Sequence, residues 1–109
     1  MKRGEVWWAQ LDERCPMVFL ASLNAETARA ILVVPPAGRK LDQFIEIEVG
    51  EREGLAFEGV VRIAFPKPGF IPCVWITTLS ITAFGERAGR LSPEKLRRLD
   101  AALQQAGLE

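Results

Sequence analysis

Apolar residues along this chain come in short runs separated by polar, proline or glycine breaks. Val6 to Leu11 is rich in aromatic and β-branched residues and predicts a strand. A polar turn, Asp12-Glu13-Arg14, and Cys15-Pro16 lead into a second run, Met17 to Ala21. The third, Ala30 to Val34, is stopped by Pro35-Pro36-Ala37-Gly38, which forbids a continuing central strand. From Phe44 to Val49 the pattern alternates. Ile45, Ile47 and Val49 take one face, and Glu46 and Glu48 are expected on a solvated one. Gly59 to Phe65 and Cys73 to Ile76 predict two further strands around the loop Pro66-Lys67-Pro68-Gly69.

The period then changes. Ser92 followed by Pro93 reads as an N-cap with proline at the first helical position, and Leu91 and Leu96 match a hydrophobic staple. Lys95 stands where the capping box wants Glu or Gln. Leu96, Leu99, Leu103 and Ala106 mark one buried face, and Gly107 a stop, so a helix of about 14 residues is expected. Six short strands and a terminal helix predict one mainly β domain over residues 1–109, a small, strongly bent antiparallel sheet or barrel.

Two tryptophans stand side by side at Trp7 and Trp8. Neighbouring strand residues point to opposite faces, so the two indoles cannot share one core. One of them needs a second buried surface, a partner interface or a ligand.

Composition narrows the chemistry. Acidic and basic residues balance at 14 each, so net charge points to no partner class. Histidine is absent, which removes Ser-His-Asp and Cys-His catalysis, and with two cysteines no structural zinc site is expected. Cys15 and Cys73 lack CxxC spacing and read as small packed hydrophobes with reduced thiols in a cytoplasmic protein. No apolar run approaches the roughly 18 residues of a membrane span.

Several segments together resemble the MazF/PemK family of toxin endoribonucleases. Arg3-Gly4-Glu5-Val6-Trp7-Trp8-Ala9-Gln10-Leu11-Asp12 is similar to its R-G-[ED]-[IV]-W-W-[VA]-x-L-[DP] opening. Pro16 to Ser22 looks like its P-V-[VL]-V-L-S strand, and Ala30 to Pro35 like its third strand. Glu53-Gly54-Leu55 with Gly59-Val60-Val61 resembles G-L-x-x-x-S-V-V. Arg87 to Leu96 matches R-I-G-x-L-S-P-E-K-L before the last helix. The resemblance spans nearly the whole chain in order. It implies an SH3-like β-barrel of the MazF/CcdB type with a C-terminal helix, a homodimer, and the toxin of a toxin–antitoxin pair. That toxin would cut single-stranded RNA without metal or other cofactor and be blocked by the acidic C-terminal segment of its antitoxin.

Two departures bear on activity. Cys15 stands where the family has its arginine, with Arg14 one residue displaced, and Pro36-Ala37-Gly38 replaces the family's Thr/Ser hydroxyl. Residues 60–85 align with the family in more than one way. Without histidine, attack of a ribose 2′-OH on phosphorus must rely on carboxylate, guanidinium and hydroxyl groups. Arg14 is the expected phosphate clamp and Glu13 the expected base. Arg39, Lys40 and Lys67 are expected to contact phosphates, with Thr77, Thr78 and Ser80 as hydroxyl donors. Trp8 is the candidate platform for an unpaired base, against a packing role in the core or at an interface. The alternative is a catalytically degenerate barrel that only binds nucleic acid or protein.

Overall fold

A computed structural model describes residues 1–38, 44–65 and 75–109. Among the described residues seven strands appear: β1 (Glu5–Gln10), β2 (Arg14–Ser22), β3 (Thr27–Val34), β4 (Phe44–Val49), β5 (Gly59–Ala64), β6 (Ile76–Ser80) and β7 (Phe84–Arg90). One helix, α1 (Pro93–Gln105), follows. All pairings are antiparallel, in the order β4-β5-β3-β2-β1-β7, with β6 also on β3. The free edge of β3 is thus shared: β6 pairs along Thr27–Ile31 and β5 takes over at Val33 and Val34. The mainly β architecture with a closing helix is the expected one.

The tryptophan doublet is resolved within one chain. Val6 and Trp8 face a core shared with Val18, Leu20, Ile31, Ile47, Val61, Ile63 and the helix residues Leu99 and Leu103. Trp7 and Ala9 face a second cluster on the other side of the sheet, with Met17, Phe19, Ala28, Ala30, Leu79 and Phe84. Trp7 meets Phe84 edge to face, ring centroids 6.4 Å apart. Its indole Nε1–H donates to Glu5 Oε1 at 3.3 Å. Buried Glu5 also accepts from the Lys2 N–H at 2.7 Å and from Arg87 at 2.9 Å. The Lys2 bond leads in holding this carboxyl below the usual glutamate value; burial opposes it, and Arg87 and Trp7 support it.

The helix is built as its sequence predicts. Ser92 Oγ accepts from the Lys95 N–H at 3.2 Å, Pro93 opens the first turn, and Leu99, Ala102, Leu103 and Ala106 are buried in the first core. Lys95 departs from the capping box because its side chain is used elsewhere. Its Nζ lies 3.0 Å from both carboxylate oxygens of Glu53, a residue 4% exposed on the short 3-10 turn Glu51–Glu53. That turn ends at Gly54, φ +90°, where a Cβ would sit 2.0 Å from the Ala88 carbonyl oxygen on β7. Only glycine fits this crossing.

Two strand expectations shift. The strand expected at Cys73–Ile76 is found at Ile76–Ser80, while Cys73 and Val74 lie outside the described residues. Strand β7 carries no alternating signal: Gly85, Glu86 and Arg87 are exposed, and its register against β1 shifts twice. Edge position and irregular pairing explain why its pattern is silent.

Candidate functional site

Antiparallel pairing gathers several strand ends at one end of the sheet. Gln10 at the close of β1 lies opposite Arg14 at the start of β2. Val34, closing β3, lies opposite Val60 near the start of β5, and Phe84, opening β7, lies opposite Ala9. The turn at 11–13, the loop beginning Pro35 to Gly38 and the connection 50–58 therefore leave from the same end.

Arg14 is positioned there by strand geometry. Trp8 pairs with Pro16, and Arg14 lies two residues further along the same face of β2, a diagonal neighbour of the indole. Its guanidinium carbon stands 4.3 Å from the centroid of the Trp8 ring, a cation–π stack. The side chain remains 56% exposed, with Nη2 3.6 Å from Glu86 Oε2. Phe57, on the connection before β5, meets Trp8 edge to face at 6.3 Å and is 43% exposed. Together they form an aromatic and cationic patch with an open side.

Cys15, which the resemblance puts in the arginine's place, faces the other way, packed against the second cluster. The one-residue displacement of Arg14 thus moves the cation to the opposite face of the sheet. Burial, and secondarily the charge of Glu13, push the Cys15 thiol up, which disfavours its thiolate form. Glu13 is exposed in the turn, where its carbonyl accepts from the Leu11 N–H at 3.1 Å.

The hydroxyl candidates lie along β6. Thr77 pairs with Ala30 and Thr78 with Arg29. Ser80 pairs with Thr27, at the other end of β3 from the Arg14 turn, roughly 20 Å away at 3.3 Å per strand residue. Its Oγ accepts from the Thr82 N–H at 3.3 Å and lies 2.8 Å from Thr82 Oγ1, capping a 3-10 turn. Arg39, Lys40 and Lys67 lie outside the described residues.

A second cluster was not anticipated. Glu46, expected on a solvated face, is instead half-buried opposite Arg62, its direct cross-strand partner on β5. Arg62 Nε and Nη2 stand 2.7 and 2.6 Å from Glu46 Oε2. A largely covered guanidinium on an otherwise apolar strand needs such a partner, which is why the carboxylate is drawn in. Glu48 is exposed, as expected. Arg62 Nη2 also donates to the Pro35 carbonyl at 2.9 Å, and Glu46 Oε2 accepts from the Ala37 N–H at 3.3 Å. Trp75 and Phe44 flank the guanidinium at 5.2 and 6.0 Å. A lone arginine inside the run Gly59-Val60-Val61-Arg62-Ile63-Ala64-Phe65 was the signal available in the sequence. Its partner required the β4–β5 register.

No family model matches this sequence, and no curated protein matches it. Solved structures do. The Mycobacterium tuberculosis toxin MazF-mt6 is similar at 19% identity and a TM-score of 0.68, with 94% of this chain and 95% of that one covered. An endoribonuclease in complex with its cognate antitoxin, from a mycobacterial species, is similar at 16% identity and a TM-score of 0.64. That match covers 97% of this chain and 91% of the other. At such identities the likeness shows the fold, and the fold is that of MazF.

Proposed function

We propose that this chain is the toxin of a toxin–antitoxin pair, a sequence-selective endoribonuclease acting on single-stranded RNA without metal. The observation that carries the reading is Arg14 stacked on Trp8 beside exposed Phe57, at the loop-bearing end of a MazF fold. Unpaired bases are held on aromatic faces and phosphates by guanidinium forks, and both surfaces adjoin here. In the proposed reaction the 2′-OH attacks the adjacent phosphorus, and its proton passes to a carboxylate, Glu13 being the candidate. Arg14 offsets charge on the phosphorane, and the 5′-oxygen leaves with a proton from water. Arg39, Lys40 and Lys67 supply further phosphate contacts by sequence, with Thr77 and Thr78 as hydroxyl donors.

The same basic groups would receive the acidic C-terminal segment of an antitoxin. A homodimer in the cytoplasm is proposed from the resemblance alone, since Trp7 and Trp8 are both accounted for inside one chain. Among the described residues no helix is long and apolar enough to cross a membrane.

A binding-only barrel is the second reading. It is favoured by the turn of Cys15 to the opposite face and by Ala37, which has no hydroxyl and whose N–H is engaged by Glu46. Digestion of long RNAs by purified protein with metals chelated separates the two. Cuts at a recurring sequence that weaken at least tenfold in Arg14→Ala support the nuclease. Intact RNA with wild-type protein supports the binder.

A further inference from the structure

Arg62 does more than neutralise Glu46. Four attachments meet on this one side chain: the carboxylate on β4, the Pro35 carbonyl at the exit of β3, the Trp75 ring ahead of β6 and the Phe44 ring at the start of β4. It is only 15% exposed. Glu46 completes the hold by accepting from the Ala37 N–H, so the peptides before and after Pro36 are both tied to the Arg62–Glu46 pair. A simple cross-strand ion pair would not reach the loop at all. The tied segment, Pro35 to Ala37, carries no side-chain hydrogen-bonding group of its own.

We propose that Arg62 is a positioning residue for the RNA site, fixing Pro35 to Ala37 through its own Nη2 and through Glu46. The proposal rests on the nuclease reading above. Lysine keeps the charge but offers a single nitrogen, which cannot hold Glu46 Oε2 and the Pro35 carbonyl in the fork geometry of a guanidinium. The loop leaves from the same end of the sheet as the Arg14 turn, so on the nuclease reading its displacement shifts the bound RNA relative to Arg14. A misplacement of about 1 Å is enough to lower a rate on the order of a hundredfold.

The experiment compares wild type, Arg62→Lys, Glu46→Gln and Arg14→Ala in RNA cleavage under chelation. Hydrogen exchange of the peptide spanning Pro35 to Gly38 is followed in parallel. In Arg62→Lys, kcat should fall ten- to a hundredfold with KM within threefold, the folded fraction unchanged and Ala37 exchange accelerated. Glu46→Gln should move in the same direction. If Arg14→Ala abolishes cleavage but Arg62→Lys leaves kcat as it was, the positioning role is overturned and the nuclease reading stands. If wild-type protein cuts nothing, the nuclease reading fails, and the proposal that rests on it falls too. Unchanged Ala37 exchange in Arg62→Lys overturns the positioning role whatever the cleavage result.

Discussion

Replacing Lys95 by methionine should destabilise the protein far more than the loss of a surface ion pair. Methionine matches the length of the lysine stem and has similar helix propensity. The cap bond to Ser92 comes from the Lys95 backbone N–H and survives the change. What disappears is the ammonium 3.0 Å from both oxygens of Glu53, whose side chain is 4% exposed. The carboxylate keeps its bond from the Gly50 N–H at 2.8 Å but loses its counter-charge in a place water hardly reaches. Stranding one partner of a buried pair costs about 3 kcal/mol or more, whereas exposed pairs are worth about 0.5 kcal/mol. For a domain of this size, a loss of about 3 kcal/mol lowers Tm by about 15 °C. Urea titration and calorimetry would measure both. The double variant Glu53→Gln/Lys95→Met should recover much of the loss, giving a coupling of about 2 kcal/mol in the cycle. A Lys95→Met protein within about 0.5 kcal/mol of wild type would refute the claim that this contact is effectively buried.

Two further outcomes follow from the fold. Gly54→Ala should cost about 3 kcal/mol in chemical denaturation, combining left-handed strain with the clash against the Ala88 carbonyl; near-native stability would mean the turn sits further from β7. Glu5 supplies a pH dependence with a definite sign. Its carboxyl titrates lower when folded, so its stabilisation is fully present above the ordinary glutamate value near 4.5 and is lost as pH falls through the lower folded value. Glu5→Gln should therefore flatten the acid limb of stability below about pH 4.5, and an unchanged slope there would remove Glu5 from that role.

The helix was fully legible in the sequence because caps and periodicity are local: Ser92, Pro93, the four-residue leucine rhythm and Gly107 all lie within sixteen positions. The β4 alternation was legible for the same reason except at Glu46, which turns in to Arg62, while for Trp7 and Trp8 the sequence left a second buried surface, a partner interface and a ligand equally open. Long-range matters were not. Lys95 read only as an incomplete capping box, because its partner Glu53 lies 42 residues away and nothing local connects them. Arg62 pairs with Glu46 only once β4 and β5 are in register, and Phe57 reaches Trp8 only once β5 has joined β3. Strand β7, polar and slipped against β1, takes its place from its neighbours rather than from its own pattern.

Because β1, β2 and β3 each have apolar packing on both sides, their broad surfaces are already spoken for. A sheet committed in this way can vary its chemistry only around the rim, where turns may lengthen, shorten or trade residues without disturbing either interior. Relatives with this framework should therefore differ in what they recognise through their loops, while the woven middle stays much the same.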